Sequence, residues 1–252
     1  MTHLLIFSAV QAETAALESC IQGSETHVIG RRRLMSGRLE GREIRLLVTG
    51  PGAANTLQAV TACIERDPPA MMIQTGIAGA FGETRLQVGD LAVATEEIDV
   101  QLGIEPEAED AAVVPLPFAV LAHQGATVTG RYPLPSRLVA TALDVLRRRY
   151  QGREVLIQAG PFVTVATVTA TEKRARRLFH QYGACMEAME GAAAAHLSLH
   201  YDIPLLEIRA ASNMTGRRDL TSWNIPLACS RCSEAVRIFL QETGPEAYGD
   251  RP

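Results

Sequence analysis

EAMEGAAAAHLSLHYDIPLLEIRAASN, residues 187–213, is the stretch whose reading decides the fold. It predicts an alanine-rich helix over Glu190–His200, then an apolar strand over Pro204–Ala211. Small side chains let such a helix pack closely. Glu187 and Glu190 lie three apart at its start, where the helix dipole favours acids, so an ordinary helix N-terminus accounts for them taken alone. Arg209 resists the same bland account. It interrupts an apolar strand, and arginine is rarely buried unless paired.

Outward from this stretch, short apolar strands alternate with helices. His3–Ala9 reads as a strand and Ala12–Ile21 as a helix. Strands are expected at Arg32–Leu39 and Glu43–Thr49 across a Glu40-Gly41 turn, followed by a helix from Ala53 to Glu65. Ala70–Thr75 is a buried strand that Gly76-Ile77-Ala78-Gly79 closes, and Val88–Ile98 is another. Residues 99–135 hold five prolines and little periodicity. They read as a long variable excursion with a short helix around Phe118–His123. Ser136 is a good N-cap for a helix to Tyr150. Glu154–Ala159 and Phe162–Ala166 are strands, Thr171–Tyr182 and Ile225–Glu242 helices, and the tail after Gly244 frays. The alternation argues for an α/β chain: a three-layer α/β/α sandwich with a mixed, mostly parallel central sheet, in one domain over 1–252. In such sheets ligands bind beyond the carboxyl ends of the strands.

Composition narrows the function. With 252 residues, 47% hydrophobic and 21% charged, the chain can bury a sizeable core. A formal net charge of −4 gives no broad basic field, so nucleic acid is excluded as a partner class. The arginines at 31–33, 147–149 and 174–177 read as solvated helix faces or strand ends. No apolar run reaches the ~20 residues that span a bilayer, and the N-terminus lacks a basic leader, so no membrane role is expected. Cysteines at 20, 63, 185, 229 and 232 are odd in number and irregular in spacing. That favours a reducing cytosol, with Cys229 and Cys232 as plain helix cysteines, no metal site and no cofactor.

Polar residues just after strands are the site candidates. Glu13 follows the first strand in a helix's first turn, where a helix-start acid is the simpler reading. Glycines 76 and 79 allow close backbone approach to a ligand, although a tight turn needs them equally. Neither a GxGxxG pattern nor a Walker lysine is present, which argues against dinucleotides and triphosphates.

Taken together these segments resemble one known family. Gln74–Glu96, QTGIAGAFGETRLQVGDLAVATE, is similar to the TGxAGG…GD signature of the nucleoside phosphorylase/nucleosidase superfamily. Residues 187–213 resemble its MEgaA…P…iRaiSD/N signature, and Val48–Ala59 its strand–glycine–helix segment. Within that superfamily, Arg209–Ala228 resembles the futalosine hydrolase branch, with Ser-Asn, Gly-Arg and then Trp. The resemblance implies hydrolysis of the N-glycosidic bond of futalosine, a purine nucleoside, in menaquinone synthesis. The alternatives within the family are an adenine-nucleoside nucleosidase (for methylthioadenosine/S-adenosylhomocysteine or aminodeoxyfutalosine) and a 6-oxopurine phosphorylase. Outside enzymes, the alternative is a silent purine-binding or storage protein. The family also implies a homo-oligomer, dimer or larger.

The resemblance assigns roles. Glu13 would hold and activate the attacking water. Glu190 would bind the ribose hydroxyls with Met189 packed on the sugar. Ala78 and Gly79 would line the sugar and water site, with Arg209 behind it. Phe162 would stack on the base and the Val163 backbone would bond its edge. Asn213, with Ser212 beside it, departs from the Asp of adenine-cleaving members. An amide is no general acid, but it can donate to N7 of a 6-oxopurine, whose anion leaves more readily. The benzoate carboxylate of futalosine would fall to Arg217, Arg218 or Arg131, with Trp223 walling the pocket. Asp219 is either a second proton source or a solvated loop acid. Phosphate is disfavoured, because a carboxylate at ~4 Å from a unit negative charge costs roughly 4 kcal/mol at an effective dielectric of about 20.

Overall fold

The computed structural model describes residues 3–108, 111 and 113–247. Its elements in chain order are β1 (Leu4–Ser8), α1 (Gln11–Glu18), β2 (Gln22–Ile29), β3 (Arg32–Leu39), β4 (Arg42–Val48) and α2 (Ala53–Arg66). Next come β5 (Met71–Phe81), β6 (Leu91–Asp99), β7 (Leu121–His123), β8 (Ala126–Val128), β9 (Arg131–Pro133) and α3 (Ser136–Arg149). The chain continues through β10 (Ile157–Thr164), α4 (Glu172–Tyr182), β11 (Met186–Ala188), α5 (Gly191–Tyr201), β12 (Leu205–Thr215) and α6 (Ile225–Glu242).

Ten strands form one mixed sheet with the order β11-β10-β6-β12-β5-β1-β4-β3-β2 and β9 on β6. Parallel ladders run through the middle, β4-β1-β5-β12, and through β6-β10-β11. Antiparallel ladders join those two blocks and carry the β2–β3–β4 arm. β11 also pairs with β5, so β5, β12, β6, β10 and β11 close into a ring at one end of the sheet. The strands that form this ring also supply most of the candidate residues. Helices α2 and α5 pack against each other in one layer, and α6 packs on α1 and α3 in another. Every residue of β1 is buried, as are Met71–Ile73 and Leu205–Ile208, which explains their nearly uninterrupted apolar sequence.

Several boundaries differ from the sequence reading, each for a physical reason. β5 does not stop at Thr75; it runs through Gly76–Gly79 to Phe81, and the glycines serve close approach inside a strand. β2 was not expected, because seven of its eight residues are exposed and no apolar alternation marks it. Glu154–Ala159 and Phe162–Ala166 are one strand, β10, whose register shifts between Gly160 and Phe162. Ser136 is not a cap: Pro135 precedes α3 and no side chain bonds its first turn. No helix forms at Phe118–His123; β7 and β8 make a hairpin there, across Gln124 and Gly125 in left-handed conformation. The fraying expected after Gly244 falls partly on a short 3-10 turn, Pro245–Ala247, and partly outside the described residues.

Candidate active site

Glu13 satisfies two readings at once. It is the third residue of α1, and its Oε2 accepts from the backbone N–H of Val10 at 3.0 Å, as a capping acid does. Its Oε1 accepts from the N–H of Ile77 on β5 at 2.9 Å. From behind, α6 holds its backbone, with Ser233 Oγ donating to the Glu13 carbonyl at 3.0 Å. Gly76 makes this approach feasible. Its φ is +153°, and a Cβ there would lie 2.6 Å from Glu13 Oε1. Burial pushes the Glu13 carboxyl above its ordinary range, while Arg209 and the two N–H bonds pull it back.

Arg209 is 2% exposed, and each of its three nitrogens has a partner. Its Nε donates to Glu207 at 2.8 Å, one terminal nitrogen to the Ile77 carbonyl at 3.2 Å, and the other to Glu190 Oε2 at 3.2 Å. Burial opposes its charge, but the carboxylates of Glu207, Glu190 and Glu13 outweigh burial and raise its pKa. Glu190 is the N-cap of α5, and its Oε1 also accepts from Gly52 N at 2.9 Å, the N-cap of α2. Two helix N-termini thus face one carboxylate, which is where helix dipoles favour negative charge.

Strand β12 skips register between Ala211 and Asn213, and the irregularity re-aims Ser212 and Asn213. Ser212 Oγ lies 3.2 Å from the Ala78 carbonyl and 2.8 Å from Asn213 Oδ1. Asn213 Nδ2 donates to the Met214 carbonyl at 3.1 Å, which leaves one amide N–H unspent. Gly79 lies opposite Asn213 on β5.

A cavity of about 260 Å³ gathers these groups. Glu13, Ala78, Gly79, Met189, Glu190, Arg209, Ser212, Asn213, Arg217 and Trp223 all line it. Phe162 and Val163 do not. Both are fully buried in the core, where β10 lies between β6 and β11. Val165 and Val168, beyond the end of that strand, line the cavity instead. Arg131 is likewise absent, committed to Glu96 across the β6–β9 ladder. Asp219 is a solvated loop acid. The Thr221 hydroxyl and N–H hold its carboxyl below the usual range, and it lies outside the cavity lining. Arg218 stacks over Trp223 with its guanidinium carbon 5.5 Å from the ring centroid, and both reach the cavity beside exposed Arg217.

Sequence reasoning missed Glu187 as a cavity residue with a fixed partner. From β11 it accepts from Thr169 N at 3.0 Å and from the Thr169 hydroxyl. It also missed Glu97, which is wholly buried behind Arg209. The only signal for Glu97 was an acid within a strand-like run. Asp90 of the GD signature has a structural task, accepting from Gln87 N at 2.7 Å and Leu156 N at 2.8 Å. Among the described residues, no group of three or more His, Cys, Asp or Glu is arranged to hold a metal ion.

A mixed sheet closed at one end, with carboxylates, an arginine and an amide around one cavity, defines an α/β protein with a charged site at the carboxyl ends of its strands. The chain belongs to the phosphorylase superfamily, whose family model matches residues 3–242. A futalosine hydrolase of Acidothermus cellulolyticus is 33% identical over 92% of this chain and 87% of that protein. Among solved structures, the native futalosine hydrolase of Helicobacter pylori superposes with a TM-score of 0.82 at 17% identity, covering 96% of this chain and 98% of that one. A 5'-methylthioadenosine/S-adenosylhomocysteine nucleosidase of Neisseria meningitidis, in complex with methylthio-immucillin-A, gives 0.81 at 20% identity over 96% and 100%.

Proposed function

We propose that this protein hydrolyses the N-glycosidic bond of futalosine, releasing hypoxanthine and dehypoxanthine futalosine in menaquinone biosynthesis. The observation that carries the reading is the joint presence of Glu13, Glu190 and Asn213 around one cavity. Glycosidic cleavage leaves positive charge on the ribose and an electron pair on the departing base. Glu13, its pKa raised, is a competent base for water: it takes one proton as the oxygen attacks the anomeric carbon. Glu190, held by Gly52 and Arg209, presents negative charge to the ribose hydroxyls and to the developing cation. The bond's electron pair leaves with the purine, where the unspent N–H of Asn213 meets N7. Because an amide supplies no proton, a 6-oxopurine anion is the suited leaving group.

Phosphorolysis is the weaker reading on this geometry. Arg209, the buried cation of the cavity, is already paired with Glu207 and Glu190, and the Glu13 carboxylate beside it would repel a phosphate dianion. Arg217 and Arg218 remain exposed on the cavity lining and suit the substrate's benzoate carboxylate, with Trp223 as the wall behind. The working unit is one domain. Exposed Ile104, Val114 and Phe118 on the excursion favour a homo-oligomer of dimer size or larger, measurable by sedimentation. No helix among the described residues is long and apolar enough to cross a membrane.

The test offers purified protein futalosine, aminodeoxyfutalosine, inosine and methylthioadenosine, with and without phosphate, and follows base release. Fastest release of hypoxanthine from futalosine, unaffected by phosphate, is expected. Faster adenine release, or strict dependence on phosphate, contradicts the proposal.

A further inference from the structure

Behind Arg209, on the side away from the cavity, lie two carboxylates that the proposed reaction does not use. Glu97 on β6 and Glu207 on β12 are each 0% exposed. One oxygen of each has a donor: Glu97 Oε2 accepts from the Thr164 hydroxyl at 2.6 Å, and Glu207 Oε1 from Arg209 Nε at 2.8 Å. The remaining oxygens, Glu97 Oε1 and Glu207 Oε2, are buried and face no N–H or O–H donor of another residue. The two carboxyl groups act directly on each other. If both were ionised they could only repel, since neither would have a proton to donate, whereas one shared proton gives an orphaned oxygen a donor. Glu97 also lies tight against the start of α5: a Cβ on residue 191 would sit 2.0 Å from its Oε1, which accounts for Gly191 there.

Charge counting agrees. Glu13, Glu97, Glu190 and Glu207 surround the single guanidinium of Arg209, so full ionisation leaves a net three negative charges, and the rear two carboxylates lack the backbone N–H donors and the cavity of the front two. Burying unpaired charge is costly, and one bound proton is the cheaper solution. The partners decide where it sits. Glu207 faces a cation through its other oxygen and is the better anion. Glu97 accepts a hydrogen bond only from a neutral hydroxyl, whose own oxygen accepts from Ala192 N at 2.8 Å.

We infer that Glu97 and Glu207 share one proton, with Glu97 as the neutral acid, and that this sealed pair is a positioning device for Arg209 and the two cavity carboxylates. The chain of donors runs from Ala192 N–H to Thr164, from the Thr164 hydroxyl to Glu97, from the Glu97 acid to Glu207. Glu207 then receives Arg209, which grips Glu190. Burial, with Glu207 second, holds the Glu97 carboxyl far above the ordinary carboxylate range. The other groups facing it are Arg209, Thr164, the α5 N-terminus and Cys185, whose thiol burial pushes up to about 12 and so keeps neutral. When high pH removes the proton from Glu97, the two carboxylates repel, Arg209 loosens, and turnover falls.

The catalytic part of this inference rests on the proposed nucleosidase activity; the proton does not. The experiment combines infrared spectroscopy of the intact protein with kinetics of E97Q and E207Q. Wild type at neutral pH should show the carbonyl band of a buried neutral carboxylic acid, absent from E97Q and shifted in T164V. E97Q imitates the protonated acid and should keep kcat within about twofold, without the high-pH loss seen in wild type. E207Q, which strips the anion from Arg209, should lower kcat roughly tenfold or more with KM changed far less. No acid band in wild type, or equal kinetic losses in E97Q and E207Q, overturns the inference. If no nucleoside is turned over at all, the functional reading falls, while the infrared band and its loss in E97Q still decide the proton. Should E207Q not fold, the band in wild type, E97Q and T164V decides alone.

Discussion

Two pairs of glutamates flank Arg209 and differ in what surrounds them. The forward pair, Glu13 and Glu190, borders the cavity, and each carboxylate receives backbone N–H groups: Val10 and Ile77 on Glu13, Gly52 and Met189 on Glu190. The rear pair, Glu97 and Glu207, has no backbone donor and no exposure, and its members turn to each other. Residue type is the same in all four positions. Direct backbone N–H bonds make a buried carboxylate tolerable as an anion, and the rear pair, which receives none, takes a proton instead. The anion at the front is available for chemistry; the neutral acid at the back is available only for geometry.

The largest expected effect breaks the front. E13Q should retain substrate affinity while kcat falls by about 10²–10⁴, the usual worth of a general base. Steady-state kinetics beside a direct binding measurement separates the two, and a near-normal kcat removes Glu13 from its role. Restoring a general acid opposite the base is next. N213D should move the ratio of kcat/KM between futalosine and aminodeoxyfutalosine toward the adenine compound by about tenfold, and an unchanged ratio undoes the argument from the amide.

At the back, G191A pushes a methyl into Glu97 and should cost about 1–3 kcal/mol in chemical denaturation; G191A in an E97A background should recover most of it. The smallest effect concerns pH. Because the folded-state pKa of Glu13 is raised, its contribution to stability is full below the unfolded value and is lost as pH rises through the folded one. E13Q removes that loss, so its Tm near neutrality should equal or exceed that of wild type. The acid limb of wild-type kcat/KM should likewise lie above the pH expected for an exposed glutamate. A clearly lower Tm for E13Q indicates that the Val10 and Ile77 bonds outweigh burial.

How far the sequence revealed this comparison depended on where each residue's partners lie. Buried elements with short-range signals were legible: the α5–β12 unit, α6 over Ile225–Glu242, and the strand at residues 4–8 were readable from apolar runs and punctuation. Glu13, Glu190 and Asn213 were reached because each follows or ends such an element, Arg209 because it interrupts one, and they share a cavity. What failed was long-range. β2 is solvated on nearly all its length, so its pairing with β3 leaves no hydrophobic trace. Gly76–Gly79 looked like a turn because sequence shows the glycines but not the Glu13 carboxylate they make room for. Phe162 looked like a stacking aromatic, yet ring closure through β11 buries it and leaves Val165 and Val168 on the cavity. Glu97 and Glu207 lie on separate strands, and nothing local distinguishes a solvated acid from half of a buried pair.

The most direct test of the central claim is a crystal structure with an uncleavable inosine analogue bound. The account predicts the ribose hydroxyls on Glu190, a water between Glu13 and the anomeric carbon, and the base edge on Asn213. A nucleoside bound with its sugar away from Glu13 and Glu190, or its purine out of reach of Asn213, contradicts it.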